Sequence, residues 1–231
     1  MKKNFTRYLY VFCAIIIIAF FAFFGIFLYK RNNRFYSNLV DFSVKSETVT
    51  VECGGVASGT FVFTVAHLFS SVDMNDCAYV NDGICAFIHM PTGFICSNFG
   101  KELSCMFIYA DFNADVAVVF LKECVYPDII RNRNTSSASF FAPRFLGEKY
   151  SRVNGKGFSF IDGRRYLTLD FTAEKGLSGY PVFDSSGYVN GIICSYDKNN
   201  GRTYAVTTET LIAASDEAKK LYEKICFGDG I

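Results

Sequence analysis

The chain has 231 residues, with 23 Lys and Arg against 22 Asp and Glu and a formal charge of +1 at neutral pH. That balance leaves no electrostatic footprint for nucleic acid. A hydrophobic fraction of 51%, with 26 Phe, 14 Tyr and only 4 Pro, excludes a disordered chain and supplies apolar material for one or two cores.

From Tyr8 to Tyr29 the text YLYVFCAIIIIAFFAFFGIFLY carries no charge. At about 1.5 Å per residue it matches a bilayer core of about 30 Å, so the sequence predicts a single transmembrane helix over about 8–29. The run is longer than the apolar region of a cleaved signal peptide, which is about 7–15 residues, and no small-residue cleavage site follows it. Residues 1–34 are therefore expected to form an uncleaved membrane anchor, and 35–231 the globular domain. Lys2, Lys3 and Arg7 precede the span and Lys30, Arg31 and Arg34 follow it, so the positive-inside rule does not choose a side. None of the 9 cysteines forms a C-x-x-C pair, which argues against a zinc or thioredoxin-type site. The eight beyond Cys13 are compatible with disulfides or with buried free thiols. Disulfides, and the glycosylation acceptor Asn134-Thr135-Ser136, lean towards a lumenal or extracellular domain.

Beyond the span, short β-type runs recur between turn residues: SVKSETVTVE, GTFVFTVAH, GICAFIHM, SCMFIYA, DVAVVFLK, GFSFIDGRRYLTLDF, YPVFDSSGYVNGIICSYD and RTYAVTT. Asn81-Asp82-Gly83, Ile161-Asp162-Gly163 and Ser185-Ser186-Gly187 stand where hairpins turn. Many short strands at this spacing predict an all-β barrel or sandwich. The stretch 131–144, RNRNTSSASFFAPR, reads as the connection between sub-barrels at about 40–130 and 145–207. Only 208–226 has helical spacing, with Leu211, Ile212, Ala214, Ala218, Leu221 and Ile225 along one side. His89 reads as a strand residue, and Asp73, Asp76 and Asp82 as a solvated loop without EF-hand spacing. With no phosphate-binding glycine loop or metal spacing, no cofactor and no metal are expected.

The stretch EKGLSGYPVF at 174–183 holds a serine between two glycines. A serine hydroxyl is a poor nucleophile at neutral pH and needs a base in reach and donors for the developing oxyanion. Gly176 lets the backbone turn so that the amides of Gly176 and Ser178 point into one small hole. His67 ends one strand-like run, and Asp115 begins another after the turn-like DFNA. The chain order is thus His67, Asp115, Ser178.

The blocks TVAH, DVAVV and GLSGYPVFDSSGYVNGI, over about residues 45–207, resemble the signature blocks of trypsin-like serine peptidases of the chymotrypsin fold, especially compact HtrA-like and viral branches. The resemblance implies a chymotrypsin-like double antiparallel β-barrel, each barrel six-stranded, with the C-terminal helix appended. It implies His67 as general base, Asp115 as the residue orienting it, Ser178 as nucleophile, and the amides of Gly176 and Ser178 as oxyanion hole. It also implies a specificity pocket with Thr172, Ala173 and Glu174 on one wall and Ile193, Cys194, Ser195 and Tyr196 on the other; the neutral Thr172 near its floor argues against strong preference for Lys or Arg.

Departures from digestive trypsins are Leu177, where those enzymes carry an aspartate that pairs with a new N-terminus, and Leu68, where they carry a disulfide cysteine. Tyr180 replaces the second glycine after the serine and crowds the cleft. The expectation is a membrane-anchored serine endopeptidase acting on protein or peptide substrates, held to the membrane by its N-terminal helix and making no use of nucleic acid. Two other classes remain: a catalytically inactive protease-like binding module, and a membrane interaction protein of viral origin.

Overall fold

A computed structural model describes residues 16–23, 36–45, 49–123, 125–131, 139–146 and 149–228. The chain divides into two compact units, Met1–Ser37 and Asn38–Ile231. In the first, residues 16–23 are helical and exposed. Among the described residues no helix is long and apolar enough to cross a membrane. The rest of the predicted span, 8–15 and 24–29, lies outside the described residues, as do Cys13, Cys124 and the Asn134 acceptor.

The second unit is built almost wholly of antiparallel strands. Nine of them, β1 (Leu39–Lys45), β2 (Thr50–Ser58), β3 (Phe61–Thr64), β4 (Tyr79–Asn81), β5 (Ile84–Phe87), β6 (Phe94–Asn98), β7 (Lys101–Glu102), β8 (Cys105–Asp111) and β9 (Val116–Leu121), form one sheet in the order β4-β5-β8-β9-β3-β2-β1-β6-β7. Six more, β10 (Ser139–Ala142), β11 (Ser151–Ile161), β12 (Arg164–Leu169), β13 (Pro181–Phe183), β14 (Val189–Asp197) and β15 (Arg202–Thr207), close into a barrel.

The C-terminal half therefore has the expected six-stranded closed barrel. The N-terminal half departs from it, because the nine-stranded sheet ends at β4 and β7 and no ladder joins those edges among the described residues. The β6–β7 hairpin extends the β1 side of the sheet, and its outer strand is two exposed charged residues, Lys101 and Glu102. A short charged edge of that kind is a poor template for further pairing. Strand β10 occupies part of the stretch expected to be a connection. His89 is an exposed bend residue beyond the end of β5, not a strand residue.

Local chemistry explains most elements. In β1 the alternation places Val40, Phe42 and Val44 inside and Asp41 and Lys45 outside. At two expected hairpins the turn residues take left-handed backbone, with Asp82 at φ 47° and Gly83 at φ 79°, and Asp162 at φ 50° and Gly163 at φ 76°. Strand β9 is buried along its whole length, since both its faces are covered. The cover on one side is the C-terminal helix Thr208–Phe227, whose Tyr222 ring lies 5.1 Å from Phe107 and 5.4 Å from Phe120. Leu211, Ala214 and Ala218 are the buried part of its predicted apolar face. An ion pair of 3.1 Å from Arg165 to Glu209 links its first turn to β12.

Candidate active site

His67 follows β3 in a short 3₁₀ turn, Ala66–Phe69, whose Ala66, Leu68 and Phe69 are buried. Those three anchor the turn and leave the imidazole partly exposed. Asp115 ends the four-residue turn between β8 and β9. That turn is fixed by Asp111, whose Oδ1 accepts the amides of Asn113 at 2.9 Å and Ala114 at 3.0 Å. Asp115 itself has φ 51°, a left-handed conformation that Asp and Asn tolerate better than other non-glycine residues.

From there Asp115 grips His67 at both backbone and ring. Its Oδ1 accepts the His67 backbone N–H at 2.9 Å, and Oδ1 and Oδ2 lie 3.0 and 2.9 Å from His67 Nδ1. An ionised carboxylate only accepts, so Nδ1 carries the proton in this contact, and in neutral imidazole Nε2 is left as the acceptor.

Ser178 sits in the loop between β12 and β13. The Leu177 side chain is only 1% exposed and belongs to the barrel core with Phe140, Leu169, Val182 and Ile193. An apolar anchor thus fixes the residue before Ser178. The Leu177 amide donates to Glu174 O, the Gly179 amide to Ile193 O at 2.7 Å, and the Tyr180 amide to Leu177 O. The amides of Gly176 and Ser178 have no acceptor among the described residues. Gly176 has φ 96° and Gly179 φ 82°, and a Cβ at Gly179 would fall on the Gly54 carbonyl oxygen.

The serine loop is sewn to the N-terminal sheet through Gly54, whose N–H donates to Ser178 O at 2.9 Å. The Tyr180 ring fills the space that a Cβ at Gly54 would need, with ring atoms 2.5 and 2.7 Å from that position. Tyr180 OH reaches Asp41 Oδ1 at 3.4 Å. The extra bulk at position 180 is therefore accommodated by the missing side chain at 54. Gly54→Ala should lower stability by about 1–3 kcal/mol, as overpacking does, and disturb the Ser178 carbonyl contact. An unchanged denaturation midpoint would show that Tyr180 moves aside freely.

His67, Gly176 and Ser178 line one cleft of about 600 Å³, together with Asp41, Phe42, Glu52, Leu146 and Lys175. His67 and Ser178, far apart in sequence, thus line the same cleft, and Asp115 is bonded to His67. The Cys53 thiol also borders the cleft, but burial pushes it up to about 12 and it is engaged with Thr64 Oγ1 at 3.2 Å. It stays protonated near neutral pH and offers no competing nucleophile.

No protein-family model and no curated protein matches the sequence. Among solved structures, the active form of the Rv3671c protease of M. tuberculosis is 14% identical over 80% of this chain and 82% of that one, with a TM-score of 0.59. An inactive serine-to-alanine variant of that protease is 14% identical over 82% of this chain and 90% of its own, with a TM-score of 0.60. A serine endoprotease from Yersinia pestis is 16% identical over 83% of this chain and 66% of its own, with a TM-score of 0.58. The fold is the trypsin-like one.

None of the predicted pocket-wall residues is among those lining the cleft just described. Ala173, Ile193 and Cys194 are buried in the barrel, where the Ala173 amide donates to Thr203 Oγ1 at 2.8 Å and Cys194 Sγ to Tyr204 O at 3.4 Å. Thr172, Glu174, Ser195 and Tyr196 are exposed, and Glu174 Oε2 accepts the Leu146 amide at 3.1 Å. The cleft itself is bordered by residues of β1 and β2 with Leu146, Lys175 and Tyr180. Sequence reading missed these residues. The available signal was Gly54-Gly55 within a strand, which marks close approach of another group. A Cβ at Gly55 would likewise meet the Phe42 ring, at 2.5 Å.

Proposed function

We propose that this chain is a serine endopeptidase that hydrolyses protein or peptide substrates through an acyl-enzyme. The observation that carries the proposal is the His67 imidazole, bonded at Nδ1 to Asp115 and lining one cleft with Ser178 beside two amides that lack acceptors. The names of the structural neighbours, a protease and a serine endoprotease, agree with it.

In this mechanism Ser178 Oγ attacks the scissile carbonyl while His67 Nε2 takes its proton. The amides of Gly176 and Ser178 receive the negative charge on the carbonyl oxygen, and each such donor is typically worth about 10²–10³ in turnover. His67 then gives the proton to the leaving amine. Water, deprotonated by the same imidazole, releases the acyl group, and Asp115 orients and compensates the imidazolium throughout. Thr172, Ala173, Glu174 and the segment Ile193, Cys194, Ser195 and Tyr196 form the specificity pocket in this reading.

A fluorophosphonate probe tests the reaction class without knowledge of the substrate. The full chain should be labelled on the peptide containing Ser178, and Ser178→Ala should not be labelled. Equal labelling of both, or none of either, would leave the cleft as a binding surface.

The proposal includes anchoring by residues 1–34, on the strength of the uncharged run from Tyr8 to Tyr29. The full chain should stay with membranes in alkaline carbonate and dissolve in detergent, while a chain lacking residues 1–34 should appear folded in the soluble fraction. Retention of the shortened chain on membranes would require a different attachment.

A further inference from the structure

We propose that a second pocket, between β4, β5 and β8 on one side and the C-terminal helix on the other, binds a small monocarboxylate with an apolar body. Its volume is about 200 Å³. Sites for drug-sized ligands run to roughly 300–1,000 Å³, so this one suits a single ring or branched chain. The inference is independent of the catalytic reading.

Strand register builds the sheet side. Tyr79 pairs with Ala86 and Ala86 with Tyr109, so two phenols stand in one row with only a methyl group between them. Ile84, two residues from Ala86 along β5, shares that face. The helix closes the other side, seated by the Tyr222 ring on Phe107 and Phe120. Its Glu217, Lys220, Leu221 and Lys224, three and four residues apart, present one stripe to the pocket.

Tyr109 is the residue that calls for a ligand. It is 3% exposed, yet its hydroxyl has no hydrogen-bond partner among the described residues and is not sealed from solvent. A buried hydroxyl left unpaired destabilises the free protein, and this residue lines the pocket. Burial pushes its phenol up to about 12, so near neutral pH it keeps a proton to donate.

Charge completes the selection. Lys224, in the last turn of the helix, has no ion-pair partner among the described residues, whereas Glu217 is engaged by Lys220 at 2.7 Å. Asp111 shares the face of Tyr109, but it does not line the pocket, and its Oδ1 already accepts the amides of Asn113 and Ala114. The groups left to meet a ligand are therefore an O–H and an ammonium, whose complement is an anionic acceptor. Ile84, Leu221 and the tyrosine rings take the apolar body. A free acid and the C-terminal residue of a peptide both carry that chemistry.

The full chain in detergent is titrated with para-fluorobenzoate and with para-fluorobenzamide, each followed by its fluorine resonance. The acid should bind with a dissociation constant of about 1 mM or tighter, and the amide about tenfold or more weakly than the acid. Tyr109→Phe and Lys224→Gln should each weaken the acid by about tenfold, since each removes a hydrogen bond to a charged group. Without ligand, Tyr109→Phe should melt at the parent temperature or above it, because the lost hydroxyl has no partner to forfeit. A tyrosine with a merely structural bond would melt lower. Displacement of the acid by Gly-Gly-Phe, and not by its C-terminal amide, assigns the site to peptide ends; without displacement it is assigned to free acids. The proposal is overturned if the amide binds as well as the acid, or if both variants bind the acid as tightly as the parent, the result that uptake into detergent micelles alone would give.

Discussion

Ser178→Ala should lower peptide hydrolysis by about 10⁶ while leaving the fold intact, the size of loss found generally when the nucleophile of such a triad is removed. The substitution deletes one oxygen at a half-buried position of the loop. It touches neither the Leu177 anchor in the barrel core nor the contact from Gly54 N–H to Ser178 O, both of which fix the loop without the hydroxyl. Thermal unfolding of the variant should therefore match that of the parent within about 1 °C. Turnover of a peptide library by both proteins at equal concentration is the measurement. Comparable rates would remove Ser178 from the chemistry, and a collapsed melting curve would show that its hydroxyl is structural.

How much of this was legible in the sequence depends on how local the determining physics is. Asp82-Gly83 and Asp162-Gly163 declare their turns because each pair suits two successive left-handed residues. The β6–β7 turn uses the same geometry with Phe99 in first place, a residue that gives no such signal, and its hairpin was not anticipated. The C-terminal helix was readable from its apolar stripe. Closure of one sheet and not the other was not, because it depends on which distant edges meet.

The candidate site divides along the same line. His67, Asp115 and Ser178 stand at ends of strand-like runs, and their order in the chain was informative. The cleft wall was hidden because it arises from a fit between residues more than a hundred positions apart, Tyr180 against Gly54 and Asp41. Asp111 is a second acid in the same β8–β9 turn region, and the two differ in what they bind. In the structure Asp111 caps its own turn, whereas Asp115 holds the imidazole.

That difference sets the second large effect: Asp115→Asn should lower acylation by about 10⁴, the scale for losing the orienting carboxylate of a serine triad. The backbone is not the cause, since Asn tolerates the φ of 51° as Asp does. The orientation of the new amide is fixed by its surroundings. The His67 backbone N–H, now 2.9 Å from Oδ1, needs an acceptor and selects the amide oxygen. The amide nitrogen is then left where Oδ2 lies, 2.9 Å from Nδ1, while the oxygen stays at 3.0 Å from it. A donor in that place competes with the oxygen for Nδ1 and raises the share of the tautomer whose proton is on Nε2, and such a ring cannot take the proton of Ser178. The lost negative charge also leaves the imidazolium formed during attack without compensation. Asp111→Asn should change the rate by less than about tenfold, because an amide oxygen can still cap Asn113 and Ala114. Single-turnover acylation of the full chain by an activated ester, at neutral pH, compares the two directly. If Asp111→Asn is the more damaging, the wrong acid has been assigned to His67; if neither loses more than tenfold, the imidazole is oriented without a carboxylate.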